Sequence, residues 1–494
     1  MSRYNVLYLA SELYPFAKVG GLADVAGSLP KVLKEEEHDV RVFIPKYKII
    51  RDRKYNLREV IRLRDIEVPL GDETVTVSVK SGFVPDSKVQ AYFLEYKPFF
   101  DRKDIYIDPN TGEGFKDDAP RFALFARAAL ETLKVLFWQP DLIHVNDWPS
   151  ALLPYFLKTE YSEEEFFQNI RTILTIHNVA YQGIFPAEVA PQIFGSKVKF
   201  DENHPAYYHG DVNFLKAGIE TASTITTVSP TYAKQIVASE DLGVGLNKVL
   251  ESRQDDFYGI LNGMDNQVWD PSTDPHIAEK YSITDLAGKQ DCVTALREEV
   301  GLSADSGNMT IGMVSRLDTQ KGHELIASAI EKLLELPVDF VFLGTGQKEI
   351  EEKLSKLAED YPDRIATKIG FDNPMAHRIE AGSDTFLMPS KHEPCGMNQM
   401  YSLRYGTPPI VHATGGLADT VEEFDSASKK GNGFRFEEYT EEGLVAAVKR
   451  AVDVFQDKDA WKTLITNGLK EDLSWSASAK KLAEIYGKTI VDSK

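Results

Sequence analysis

Short apolar, β-branched runs alternate with longer stretches of helical periodicity along most of the 494 residues, the pattern of parallel sheets joined by crossover helices. In the first half the strand candidates are residues 5–10, 39–45, 90–95, 141–145, 171–176 and 224–228. The stretch "IEVPLGDETVTVSVKSGFV" alternates with period two about Gly71 and Asp72, which predicts an antiparallel hairpin attached to the first sheet. The pattern restarts at "MTIGMVSRL" and runs on through "VDFVFLGTG", "DRIATKIGF", "DTFLMPS" and "TPPIVHATGG", each a buried-strand run ending in a polar or glycine-rich loop. Two doubly wound α/β domains are expected. The segment "YGILNGMDNQVWDPSTDP" has the composition of a domain crossing, placing the first domain over 1–258 and the second over 259–473. Residues 474–494 predict a closing amphipathic helix with Ser474 at its N-cap.

The length exceeds what one hydrophobic core organises, so the two-domain reading brings with it the expectation of a cleft. A hydrophobic share of 43% and a charged share of 27% are those of globular proteins. The formal net charge of -20 would repel a phosphate backbone, which argues against nucleic acid as a partner. The two cysteines, Cys292 and Cys395, are too distant in sequence for a zinc knuckle or a dithiol motif. The opening "MSRYNVLYLASELYPF" is interrupted by Ser11 and Glu12 and reads as a buried strand rather than a signal peptide. No segment approaches the length of a membrane span, so neither membrane nor export is expected, and the location expected is cytoplasmic.

Gly-Gly-Leu-Ala-Asp occurs twice, at Gly20–Asp24 within "KVGGLADVAGSLP" and at Gly415–Asp419 within "TGGLADTVEEF". Each copy follows an apolar strand and opens a helical pattern. Taken singly, such a pair is ordinary turn chemistry. Glycines at a helix N-terminus also expose backbone N–H groups and let an anion approach closely, so both copies are candidate phosphate grips. Lys18 stands beside the first copy, and "SRLDTQKG" puts Arg316 and Lys321 on the loop after a strand. Fixed cations there would suit a diphosphate leaving group, on which negative charge grows as its bond breaks. Glu393 sits at a strand-to-helix junction in "SKHEPCGMNQ"; "HVNDW" contributes His144, Asp147 and Trp148, and "TIHNVAYQGIFP" contributes His177, Asn178, Tyr181 and Gln182. Polar and aromatic groups converging at strand ends suit sugar recognition. The Asp457–Asp459 acidic pair lies away from any strand end and reads as solvated surface, so no metal site is expected.

Those blocks, together with "NFLKAGI", "TTVSPTYA" and "GILNGMD", resemble in order the bacterial glycogen synthase and plastid starch synthase family, glycosyltransferase family 5. The resemblance implies a GT-B fold, two Rossmann-like domains facing across a cleft, with the last helix crossing back to the first domain. It implies metal- and cofactor-free transfer of glucose, with retention, from ADP-glucose or in some members UDP-glucose to the nonreducing end of an α-1,4-glucan. By matching position, Lys18, Gly20, Gly21 and Asp24 would contact the donor, as would Asn262, Phe371, Cys395, Gly396, Met397, Thr414, Gly415 and Gly416. Arg316 and Lys321 would neutralise the leaving group, Glu393 would hold the glucose hydroxyls, and Asp147 and His177 would border the sugar. Tyr181, Gln182, Asn213 and Lys216 would approach the acceptor. The chain departs from many relatives in carrying Lys391, His392 and Met397 around Glu-Pro-Cys-Gly, and Phe371 where Tyr is common.

Rival readings are weaker. A dinucleotide dehydrogenase would place a compact G-x-G-x-x-G after the first strand, where this chain has "SELYPFAKVGG". Another hexosyltransferase or an epimerase of the same architecture is the nearer rival. A noncatalytic glucan-binding protein would have no use for the cations and Glu393.

Overall fold

In the computed structural model, which describes residues 3–304 and 306–491, the chain divides into two compact units. The first runs to Val228, resumes over Ala233–Ile260 and takes in the chain again from Trp475; the second holds Ser229–Tyr232 and Leu261–Ser474. The start of the expected first domain at residue 1 and the end of the expected last helix at 494 lie outside the described residues.

The first unit opens with β1 (Asn5–Leu9), helix α1 (Gly21–Glu35) and β2 (Asp39–Pro45), then the hairpin β3 (Ile66–Leu70) and β4 (Glu73–Phe83), and β5 (Gln90–Glu95). The long helix α2 (Asp118–Leu136) leads to β6 (Leu142–Asn146) and β7 (Arg171–Ile176), and α3 (Phe214–Thr221) leads to β8 (Thr224–Thr227) and β9 (Phe257–Gly259). Across the sheet the order is β9-β8-β7-β6-β1-β2-β5-β4, with the short strand Arg58–Glu59 at the far edge. The strands from β9 to β5 are parallel; β4 pairs antiparallel with β5 and with β3, as the period-two alternation predicts. β1 lies at the centre because Val6, Leu7, Tyr8 and Leu9, each 1% exposed or less, can be covered on both faces only there.

The second unit is a six-stranded sheet of β10 (Met309–Leu317), β11 (Val338–Gly346), β12 (Ile365–Ile369), β13 (Thr385–Met388), β14 (Pro409–His412) and β15 (Phe434–Phe436), in the order β12-β11-β10-β13-β14-β15. All its pairings are parallel. Helices α4 (His323–Leu334), α5 (Asn398–Arg404) and α6 (Gly415–Thr420) follow β10, β13 and β14. Along β11 the side chains alternate between two cores: Phe340 and Phe342 pack into one, Val341 and Leu343 into the other.

The last helix, α7 (Trp475–Val491), belongs to the first unit, with Ser474 immediately before it. It is fastened by Tyr486 Oη to His144 Nδ1 at 2.8 Å and by a 2.8 Å hydroxyl contact between Thr489 and Thr224. No described helix is long and apolar enough to cross a membrane.

Candidate active site

In each unit the polar loops gather at the carboxyl ends of the parallel strands, where α/β sheets place their ligands. The loop after β1 carries Glu12, Lys18 and the first glycine pair. Glu12 is buried, and its Oε2 accepts the backbone N–H groups of Val19 at 2.6 Å and Gly20 at 2.7 Å. Its Oε1 accepts the Tyr106 hydroxyl at 2.9 Å. A protein carboxylate therefore already takes two of the loop donors, and those left for an anion are in the first turn of α1. Lys18 Nζ lies 2.7 Å from both carboxylate oxygens of Asp24, so the two residues expected to hold separate parts of a donor form one exposed ion pair.

Asp147 stands at the turn after β6 with φ 53, a left-handed conformation unusual for a residue with a Cβ. Its Oδ1 accepts the backbone N–H of His177 at 2.7 Å, which joins the ends of β6 and β7. Burial pushes its carboxyl up to about 7, opposed by the backbone N–H groups of His177 and Asn178. Burial pushes the His177 imidazole down to about 4, so this ring is neutral at physiological pH.

In the second unit Asp318 caps the turn Thr319–Lys321 by accepting the N–H groups of Gln320 at 3.0 Å and Lys321 at 3.2 Å. That turn aims Lys321 at Glu393, whose Oε2 receives Lys321 Nζ at 2.6 Å and Ser390 Oγ at 2.9 Å. Both of these partners use Oε2, which leaves Oε1 available as an acceptor. Gln320 and the 391–392 backbone bond each other in both directions, at 2.7 and 2.8 Å, locking the two loops together. Arg316 is exposed and lies 3.5 Å from Asp318. Gly416 N donates to the carbonyl oxygens of Glu393 and Pro394, each at 3.1 Å. The buried Cys395 thiol is pushed up to about 12 and is inert as a nucleophile, with the Asn262 N–H beside its sulfur.

Residues 5–252 match the starch synthase catalytic domain family, and residues 297–466 match the group 1 glycosyl transferases. A glycogen synthase of Anaeromyxobacter sp. (strain Fw109-5) is 42% identical over 98% of this chain and 98% of its own. One of Chlorobaculum parvum is 39% identical over the same shares. The chain belongs to the glycogen and starch synthase family. Among solved structures, the catalytic domain of starch synthase IV from Arabidopsis thaliana, bound to ADP and acarbose, superposes with a TM-score of 0.87 at 32% identity. That likeness covers 99% of this chain and 100% of that one. Sucrose-phosphate synthase from Thermosynechococcus elongatus, at 17% identity and a TM-score of 0.60 over 99% of this chain and 100% of its own, shares the fold. The architecture is GT-B, and the protein is a glycosyltransferase.

For a synthase of this family the remaining expected residues divide sharply. Phe371, 88% exposed after β12, and Tyr181, 58% exposed, are presented as open aromatic faces. Three residues expected at the acceptor are instead committed inside the first unit. The fully buried Asn213 caps α3 by accepting Lys216 N and donates to Gln182 Oε1 at 2.7 Å. Gln182 passes its own amide to Val244 O at 2.8 Å, and Lys216 Nζ is held by Pro205 O and Glu220. These contacts shape the loop beside Tyr181. Among the described residues no group of three or more His, Cys, Asp or Glu side chains gathers as a metal site, and Asp457 serves as a helix cap by accepting the N–H groups of Asp459 and Ala460. Glu12 and Ser390 were not anticipated, because a polar residue just past a strand gives no sign of what it will grip.

Proposed function

We propose that the protein is an ADP-glucose:α-1,4-glucan 4-α-glucosyltransferase that acts with retention at the nonreducing end, with UDP-glucose the lesser donor. The observation that carries this reading is Glu393, held through Oε2 by Lys321 and Ser390 with Oε1 free, at a strand-end loop of a chain similar to glycogen synthases over 98% of its length. A carboxylate fixed on one side offers its other oxygen to sugar hydroxyls in a set direction. As the bond between the anomeric carbon and the diphosphate oxygen breaks, charge grows on that oxygen, and Arg316 and Lys321 stabilise it. The diphosphate accepts the proton of the attacking glucan hydroxyl as the new glycosidic bond forms, so no enzymic nucleophile and no metal is used. Phe371 stacks on the base, the first turn of α1 and Lys18 meet the diphosphate, and Tyr181 meets the glucan. The reaction takes place in the cytoplasm.

Labelled glucose offered as ADP-glucose and, in parallel, as UDP-glucose to a glycogen primer tests the reading. The expected result is label in chains that a debranching enzyme and an α-1,4-specific amylase release, faster from ADP-glucose, and undiminished in excess chelator. A folded protein that binds nucleotide yet extends no glucan from either donor overturns it and favours another sugar-nucleotide reaction on this scaffold.

A further inference from the structure

Asn146 closes β6 one residue before Asp147, and every polar atom it carries is engaged. Its N–H donates to Ser150 Oγ at 2.7 Å, and Ser150 Oγ returns a 2.7 Å bond to its carbonyl. Its side-chain Nδ2 donates to Leu9 O at 2.8 Å, which decides the orientation of the amide, since a carbonyl can face only the NH₂ end. The oxygen end is then fixed too: Oδ1 receives the Tyr8 hydroxyl at 3.0 Å and lies 2.9 Å from His177 Nε2. An amide oxygen has no hydrogen to give. The hydrogen in the His177 contact must be on Nε2, and in a neutral imidazole the lone pair is then on Nδ1. No other described group contests this arrangement: the second hold on His177 is through its backbone, to Asp147.

We infer that Asn146 is a positioning residue that selects the Nε2–H tautomer of His177 and so presents Nδ1 as an acceptor for a ligand hydroxyl. The ligand class follows from the polarity. A neutral acceptor nitrogen beside the strand ends takes an O–H donor, such as a sugar hydroxyl, and rejects a carbonyl or phosphate oxygen that has no hydrogen. The sugar rests on the proposed reaction; the tautomer does not. Three titratable groups surround the pair: Tyr8 from β1, His144 from β6, and Asp147 from the turn after it. Burial keeps the first two uncharged at neutral pH, with the Tyr8 phenol pushed well up and the His144 imidazole down to about 3. The Asn146 amide is held at both ends by β1, through Leu9 O and the Tyr8 hydroxyl, which is what a tautomer selector requires, because a mobile amide would flip and turn its NH₂ end to the ring.

The test is to label the full-length protein with nitrogen-15 histidine and read the ring nitrogens of His177, assigned by their loss in His177→Gln. The expected spectrum near neutral pH is a neutral ring protonated at Nε2. Asn146→Ala should bring up the Nδ1–H tautomer and lower kcat at least tenfold. Asn146→Asp keeps an acceptor oxygen on Nε2 while its other oxygen, protonated, donates to Leu9 O in place of Nδ2, so this uncharged variant should retain the tautomer. Asn146→Asp should then keep most of the activity that Asn146→Ala loses. An Nδ1–H ring in the unmodified protein, an unchanged tautomer in Asn146→Ala, or an Nδ1–H ring in Asn146→Asp would each overturn the assignment. Should Asn146→Ala fail to fold, the unmodified and Asn146→Asp spectra still decide. Because the ring signals are read without substrate, a protein with the expected tautomer but no glucosyl transfer would refute the proposed reaction and leave this inference standing.

Discussion

The same five residues, Gly-Gly-Leu-Ala-Asp, open α1 in the first unit and α6 in the second, yet the helices enter them one residue out of step. Gly20 is the extended N-cap of α1, with φ -133, while Gly415 is already the first residue of α6, behind Thr414, with φ 46. A Cβ on Gly21 would meet nothing within 4 Å, and one on Gly20 would come no nearer than 4.0 Å to Glu12 Oε1. A Cβ on Gly415 or Gly416 would fall less than 3.0 Å from the carbonyl oxygen of Glu393 or Cys395 respectively. The closing aspartates differ as well. Asp24 pairs with Lys18 in solvent, whereas Asp419 accepts Ser229 Oγ at 2.5 Å, Thr231 N at 2.9 Å and Thr231 Oγ1 at 2.5 Å. Identical sequence thus leaves a bare backbone open to an anion in one place and packs two strand-end loops backbone against backbone in the other.

The largest effect should come from Gly415→Ala. It combines a left-handed φ with a clash against backbone that cannot swing away, and a loss of roughly 4 kcal/mol or more is expected. Thermal melting of the variant should show a strongly lowered transition or none, and a normal melt would mean the two loops are not braced as described. Next is the contrast of the two lysines. Lys321→Ala removes a leaving-group cation and strands the buried Glu393, so kcat should fall about 10²–10³-fold. Lys18→Ala, in an exposed pair, should cost less than about 1 kcal/mol of stability and act mainly on the donor KM. Steady-state kinetics with both variants separates them, and equal losses of kcat would erase the distinction.

How far these differences could be read from sequence depends on the range of the contact. The long buried strands were legible because a run such as Phe340–Leu343 must be covered on both faces, and the hairpin at Gly71 was legible because its polarity alternates. The edge strands Phe257–Gly259 and Phe434–Phe436, and the small sheet of Ile184–Phe185, Tyr207–Tyr208 and Asp211–Asn213, are too short to carry a period. Lys321, Glu393, Asp147 and His177 were found because each stands, after a strand, at a position that the family resemblance marks. Their partnerships were not, since Lys321 and Glu393 are 72 residues apart and the acceptor-like Gln182 and Asn213 spend their amides on each other across 31. Residue type announces what a side chain can bond, and only the fold decides whether another side chain has already taken it.

The two regions should also respond differently to pH. Beside the first copy, Asp147 is pushed up to about 7, so the folded state binds a proton that the unfolded state releases near its ordinary carboxylate range. The stability contributed by this group is therefore whole below about 4 and is lost as pH rises to about 7, on the order of 4 kcal/mol. Measured against Asp147→Asn, which has no such proton, the melting temperature of the unmodified protein should fall across that interval, and a level difference would mean that Asp147 is ionised in the fold. Smaller again is the effect of Asp419→Ala, which leaves Ser229 and Thr231 without their acceptor and should cost about 2 kcal/mol. Asp24→Ala should cost less than about 1 kcal/mol in the same melting experiment.

The smallest expected change is the most informative about the first copy. Gly21 is the first residue of α1, its φ does not lie in the left-handed region, and the space where a Cβ would go is empty. Alanine there narrows the unfolded ensemble and improves helix propensity, so Gly21→Ala should leave stability unchanged or raise it by up to about 1 kcal/mol. On structural grounds alone nothing at this position requires glycine. If the bare backbone serves an anion, the added methyl will stand between the first-turn N–H groups and a diphosphate, and the donor KM should rise several-fold while the melt holds and kcat changes little. A variant equal to the original in both melt and KM would show that the glycine of the first copy is free of ligand, and the two copies would then differ only in how tightly their loops are packed.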